Sequence, residues 1–429
     1  MKRGLLRAGV AALAALGLGL GACGGSKPSA GGDGASAWAL TGGAQEVVRA
    51  AFDKWNSDNP DRQIAVEYMG NDAYKEKIRT AVNTPQSPTL VWSWGGGTLR
   101  DYVNNGMVVD LTDSTADLQN KLFPAILETG KVDGKVYALP VNQAQGVYFY
   151  LNKEVLDAHG LSVPQTWDDL LNAVKTLKAA GVTPIALAGQ SQWPYLMWIQ
   201  YLTDRIGGPE VFQRVLDGEP GAWSDPAILK ALEMIQELVE LGAFGDAYGS
   251  VTADAGGDIA MVHTGKAAMV LQGAWVWTSF HEDNPTFATS GNLLYSTFPT
   301  IAGGKGNPKN LVGNPANYWS VSAKASEDAQ KTVTDYLNTI NLNDAYVDHL
   351  LEIGAVPGVK GIDDKIAKAK DSDYLSFIYS SLGDAEHFQL SWDQALPSEQ
   401  SQALLTNLSQ VFLLQLTPQQ FVDNMNATL

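Results

Sequence analysis

Five ring-bearing residues, Trp94, Trp193, Tyr195, Trp275 and Trp392, fall where loops give way to helices, most of them within two residues of glycine or proline. Asn142, Gln145, Asn314 and Asp393 occupy similar junctions, and Thr41 precedes the pair Gly42-Gly43. Indole and phenol rings offer flat apolar area at little rotamer cost, with a polar handle. Amides donate and accept at once, which matches a hydroxyl that does the same. The combination suits non-covalent recognition of an uncharged ligand with an apolar face and a rim of hydroxyls, as in a sugar. Any one of these rings taken alone reads better as core, and Asn142, Asn314 and Asp393 serve equally well in turns or caps. The group, rather than a member, points to binding.

Other chemistries find less support. A glycoside hydrolase needs two carboxylates ~5–10 Å apart across one bond, and Asp393 has no evident partner in the sequence. A receptor for a polyamine, peptide or other charged solute needs ion-pair partners, yet the candidate loops are mostly neutral. His159, His263, His281, His349 and His387 are scattered without metal-ligand spacing. Gly95-Gly96-Gly97 lacks the lysine of a phosphate loop, and a tight turn is its commoner use. Neither a metal nor a cofactor is expected, and no enzymatic activity.

The elements that must position these residues centre on Asp133–Glu154, DGKVYALPVNQAQGVYFYLNKE. An Asp-Gly-Lys turn leads into an apolar strand ended by Pro140. The amides Asn142, Gln143 and Gln145 follow, then an aromatic strand, Gly146–Leu151. Two strands in series with amides at the join read as a crossing between two domains, where ligand sites form; a plain hairpin is the competing reading. Before it, strand, glycine turn and helix recur from Trp38 to Asn105, which argues for an α/β sheet. After it, Thr166–Asp169 resembles a capping box, and Trp193-Pro194 opens a helix. Leu293–Phe298 and Tyr318–Ser322 are expected to be strands returning to the first domain, and Trp392-Asp393 to lie in a loop.

The chain has 429 residues and a formal net charge of −17, which argues against binding nucleic acid or an anionic surface. Lys2, Arg3 and Arg7 precede an apolar run, Ala8–Leu20, and then Leu20-Gly21-Ala22-Cys23, with the lone cysteine of the sequence. This pattern is that of a lipoprotein signal peptide over residues 1–22, with lipidation at Cys23. A Gly/Ser/Ala-rich tether, 23–37, follows. The expected location is the outer face of the cell membrane, held by lipid alone.

The segments DGKVYALP at Asp133–Pro140, LNKEVL at Leu151–Leu156, TWDDL at Thr166–Leu170, GKAAMVLQGAW at Gly265–Trp275 and IGAVPGV at Ile353–Val359 together resemble the solute-binding lipoproteins of carbohydrate ABC importers, the maltose- and oligosaccharide-binding proteins among them. The resemblance spans nearly all of the mature chain. It implies an α/β, two-lobed periplasmic-binding-protein-like fold with hinge strands between the lobes. Carried onto this chain, the first lobe is 38–144 with 296–349, and the second is 145–295 with 350–429. Trp94 matches a sugar-contacting tryptophan, Trp275 and Trp392 match stacking tryptophans, and Thr41 lies in a loop that lines the family's cleft. Gln145 and Trp193 stand where maltose-binding relatives have glutamates, and glycine near Gly97 replaces a carboxylate. Those departures weaken a maltose assignment; small Thr41, Gly42 and Gly43 with many rings suit a narrow, flat neutral oligosaccharide, first of all xylobiose or a xylo-oligosaccharide, with cello-, malto- and chito-oligosaccharides left open. Partners implied are the permease subunits of an importer, with the receptor a monomer.

Overall fold

A computed structural model describes residues 34–429. The signal peptide, Cys23 and most of the tether lie outside the described residues. Two sheets carry the molecule. The first contains β1 (Ala35–Leu40), β2 (Ile64–Met69) and β3 (Leu90–Ser93). A hairpin of β4 (Lys131–Val132) and β5 (Lys135–Val136) precedes β6 (Leu139–Pro140). The second is built on β7 (Gln145–Asn152), with β8 (Thr183–Ala186), β9 (Ala267–Gly273), β10 (Leu293–Ser296) and β11 (Leu311–Asn314). β12 (Tyr318–Val321) returns to the first sheet and β13 (Phe388–Leu390) to the second.

The first sheet runs β2-β1-β3-β12-β6, with β1 parallel to β2 and β3. Parallel neighbours need helical crossovers, supplied by α1 (Gln45–Asp58) and α2 (Asn71–Ala81). α1 buries Val47, Val48, Ala51, Phe52 and Trp55, a stripe at helical spacing. α3 (Gly96–Asn104) follows β3. In the second sheet β7 is buried at every position and pairs with β9, β10 and β11, all antiparallel. The anticipated cap is present: Thr166 Oγ1 accepts the Asp169 N–H (3.2 Å) and Asp169 Oδ2 accepts that of Thr166 (3.0 Å).

Three readings of the sequence are corrected. Ala35–Ala37, assigned to the tether, begin β1 and pair with Ile64–Val66, because alanines small enough to look like linker also fit a covered sheet. Leu293–Ser296 does not return to the first sheet at Ser296; it pairs with β7, and the chain crosses back only between Asn314 and Tyr318. The boundary expected after His349 falls inside a helix, Asp344–Glu352, whose Leu350 and Leu351 pack in the same core as Val47 and Phe52.

The segment before β11 is fixed by a buried charge. Arg205, 2% exposed, pairs with Asp204 (2.6 Å) and donates to the carbonyls of Asn307 (3.2 Å), Pro308 (2.9 Å) and Asn310 (2.9 Å). Burial raises the Asp204 carboxyl, and the guanidinium opposes that rise. Removing one partner of such a pair leaves an uncompensated buried charge. Arg205→Met is therefore expected to cost about 3–5 kcal/mol in urea unfolding; a loss below about 1 kcal/mol, the scale of an exposed pair, would contradict the assignment.

Candidate binding site

The chain passes between the sheets at Val141–Ala144 and again at Pro315–Asn317, and the two passages are tied to each other. The Val141 N–H donates to the Asn317 carbonyl (2.8 Å), and the Asn317 N–H donates to Asn142 Oδ1 (3.1 Å). A third passage, at Val356–Pro357, accepts the Ala144 N–H on the Val356 carbonyl (2.8 Å). Buried backbone groups at such a crossing must be paired, and side-chain amides do part of that work here.

Above these crossings lies a cavity of about 370 Å3 bordered by both lobes, within the ~300–1,000 Å3 of small-molecule sites. The first lobe contributes the loop after β1 with Thr41, then Asn71 and Lys75 of α2, and Trp92 and Trp94. The crossings contribute Asn142, Gln143, Gln145, Asn314 and Asn317. The second lobe contributes Trp193, Asp254, Asp258, Gln272, Trp275 and Asp393.

Each ring has a local reason for its place. Trp94 follows β3, is 7% exposed, and packs edge-on against Tyr74 (5.8 Å), with Lys75 Nζ 5.1 Å from its ring. Trp275 folds back over the end of β9, where a Cβ on Gly273 would lie 1.7 Å from the indole. Only glycine leaves that space. Trp193 lies 5.8 Å from Trp275 at an interplanar angle of 60° and donates its N–H to Asp72 Oδ1 (3.2 Å). The triple glycine after Trp94 is more than a turn. Gly95 and Gly96 have φ of 80° and 64°, and a Cβ on Gly97 would meet the Leu396 carbonyl at 2.4 Å. It lets the C-terminal segment press against the first lobe.

Of the expected site residues, Thr41, Trp94, Asn142, Gln145, Trp193, Trp275, Asn314 and Asp393 border the cavity. Tyr195 and Trp392 do not, and both are corrected to core. Tyr195 stacks on Phe412 (4.1 Å) and Trp392 on Phe212 (4.2 Å), each 1% exposed. Trp392 begins a short helix, Trp392–Ala395, not a loop. One helical step of about 100° separates its buried indole from the cavity-facing Asp393.

The electrostatics are settled mostly within the protein. Asp393 accepts from Lys75 (3.3 Å), Ser391 (2.8 Å) and Gln394 (2.8 Å), partners that sequence spacing did not suggest. Asp258, 1% exposed, accepts from Gln272 Nε2 (2.7 Å) and the Ile259 N–H (3.0 Å), and burial raises its carboxyl against those bonds. Asp254 is likewise raised, chiefly by burial. Glu282 and Asp283 stand exposed at the rim. By contrast the buried oxygens Gln143 Oε1, Asn314 Oδ1 and Asn317 Oδ1, and the Trp92 indole N–H, have no partner among the described residues. Asn317, Trp92, Lys75 and Asp258 went unnoticed in the sequence; Gln143 was read as one of the crossing amides but not as a site residue.

The two tryptophans should respond differently to truncation. Trp94→Ala removes a buried indole and is expected to cost about 3 kcal/mol in chemical denaturation of the ligand-free protein. Trp275→Ala, at a partly exposed ring, is expected to stay within about 0.5 kcal/mol of wild type. Equal losses would place Trp275 in the core.

Residues 37–346 match the model of the bacterial extracellular solute-binding proteins. An ABC transporter extracellular-binding protein of Pyrococcus horikoshii is 25% identical over 62% of this chain and 60% of its own length. The chain thus spans about three-fifths of that relative. A xylose/arabinose-binding protein of Haloferax volcanii is 25% identical over 81% of this chain and 73% of its own. Among solved structures, one described under xylan utilization by the thermophilic bacterium Caldanaerobius polysaccharolyticus superposes with a TM-score of 0.82 at 28% identity, covering 92% of this chain and 99% of that one. With two sheets, three crossings and a cleft between them already in view, this chain belongs to the family of bacterial extracellular solute-binding proteins.

Proposed function

We propose that this protein is a lipid-anchored extracellular receptor that binds a short neutral oligosaccharide in its interlobe cleft and delivers it to the permease of an ABC importer. Xylobiose or a related xylo-oligosaccharide is the first candidate. One observation carries the reading. The buried carboxylates at the cavity, Asp258 and Asp393, are paired internally, while three buried amide oxygens and an indole N–H are not. The amides of Asn142, Gln143, Gln145, Asn314 and Asn317 border the cavity and can exchange hydrogen bonds with hydroxyls, and Trp94, Trp193 and Trp275 supply apolar faces for C–H groups. The small loop Thr41-Gly42-Gly43 and the several rings favour a narrow, flat ligand without an exocyclic hydroxymethyl. The pentose-binding and xylan-utilization relatives support the same choice. Anchoring rests on Cys23 and its signal sequence, and the receptor is read as a monomer.

Hydrolysis is disfavoured, because a glycosidase needs two carboxylates free to act on one bond, and Asp258 and Asp393 are each held by hydrogen bonds. Among the described residues bordering the cavity, a cationic solute would find exposed carboxylates in Asp254, Glu282 and Asp283.

Thermal-shift measurements with xylobiose, xylotriose, cellobiose, maltose, chitobiose and spermidine test the reading. Ligand at a hundred times its Kd adds about 2.7 kcal/mol to the folded state, so xylobiose should raise the melting point clearly. Trp275→Ala should remove that rise. A shift with spermidine alone, or sugar cleavage detected by chromatography, would overturn the proposal.

A further inference from the structure

The contacts of Asp72 connect the two lobes at a place that ligand binding alone does not require. Asp72 lies in the first turn of α2, on the first lobe. Its Oδ2 accepts the hydroxyl of Ser191 (2.6 Å), and its Oδ1 accepts the indole N–H of Trp193 (3.2 Å), both from the second lobe. Ser191 Oγ also accepts the Ala253 N–H (3.1 Å), which ties the loops carrying Trp193 and Asp254 to each other. Asp254 returns the contact: its Oδ2 accepts the Asp72 N–H (2.9 Å).

Two backbone features mark these positions as shaped for each other. The residue before α2 is Gly70, with φ −61° and ψ 153°, a conformation open to any residue. A Cβ there would lie 2.6 Å from Asp254 Oδ2. Gly70 has no side chain with which to cap its own helix, and a carboxylate from the opposite lobe does so instead. On the other side, Gln192 is held at φ 62° and ψ −46°, a strained state for a residue with a side chain. That strain turns Ser191 and Trp193, its two neighbours, toward the same carboxylate.

We propose that Asp72 is a positioning residue for Trp193, and that its contacts with Ser191, Trp193 and Asp254 form the latch holding the two lobes closed over the ligand. The ring that stacks on the ligand is thus set by the lobe opposite its own, and only when the lobes meet. Ligand release requires that these bonds open first. The inference rests on the cleft being the ligand site, and its test separates the two.

Gly70→Ala is the selective variant, since its backbone tolerates alanine and the three atoms nearest its methyl all belong to Asp254 of the other lobe. Asp72→Ala removes both acceptors. By stopped-flow with xylobiose, each variant is expected to raise the dissociation rate about tenfold while leaving the association rate nearly unchanged. The loss caused by Asp72→Ala should shrink in a Trp193→Phe background, as coupled residues do. Unchanged dissociation in Gly70→Ala overturns the latch, and full additivity of the two substitutions overturns the positioning role. Should wild type bind no sugar of the panel, the oligosaccharide reading fails, and ligand-free small-angle scattering decides the latch alone. A larger radius of gyration for Gly70→Ala than for wild type then upholds it, and equal radii overturn it.

Discussion

The requirement that buried backbone be hydrogen-bonded where the chain passes between two sheets governs the rest of this structure. At Val141–Ala144 and Pro315–Asn317 no ladder is available to pair every peptide group, so the two passages pair with each other and with Val356. Asn142 spends its carbonyl oxygen on this task. Gln143, Asn314 and Asn317 are brought to the same place with side-chain oxygens unspent. The crossing thereby does two things at once: it joins the lobes and lays an amide floor beneath the cavity.

That floor sets uncharged amides beneath the cavity of a protein with a net charge of −17. A carboxylate left unpaired beside a closed cavity would carry a desolvation penalty, and here each buried one has been given donors. Lys75 answers Asp393 across the interlobe gap, and Gln272 answers Asp258 within the second lobe. The buried part of the cavity wall is otherwise dipolar and aromatic, with Asp254, Glu282 and Asp283 exposed around it. Such a surface discriminates by shape and by hydroxyl geometry rather than by charge.

The same economy appears in the rings. Trp94 is wedged between Tyr74 and Lys75, Trp275 lies back over Gly273, and Trp193 is held by its N–H, so all three indoles are oriented by protein contacts alone. Rings already held in place lose little freedom when a ligand arrives, and preorganisation of this kind converts more of the contact energy into affinity. Because the walls come from opposite lobes, the cavity exists as one space only while the lobes are together.

Local pattern was enough to reveal the α/β alternation, the crossing after Pro140, and several of the indoles and amides that border the interlobe cavity. Each depends on neighbours in the chain: apolar period, turn residues, and residue type at a junction. Two rings, Tyr195 and Trp392, looked the same at that level yet turned into cores with Phe412 and Phe212. A helical residue's facing depends on the rotation of the whole helix against its sheet, and the adjacent residues do not encode it. Nor did spacing betray Lys75 with Asp393, or Asp72 with Ser191, since 318 and 119 positions separate them. The amino-acid sequence by itself determined what kinds of groups this cleft is made from; the packing of two lobes decided which of them face it, because only packing brings remote side chains within bonding distance.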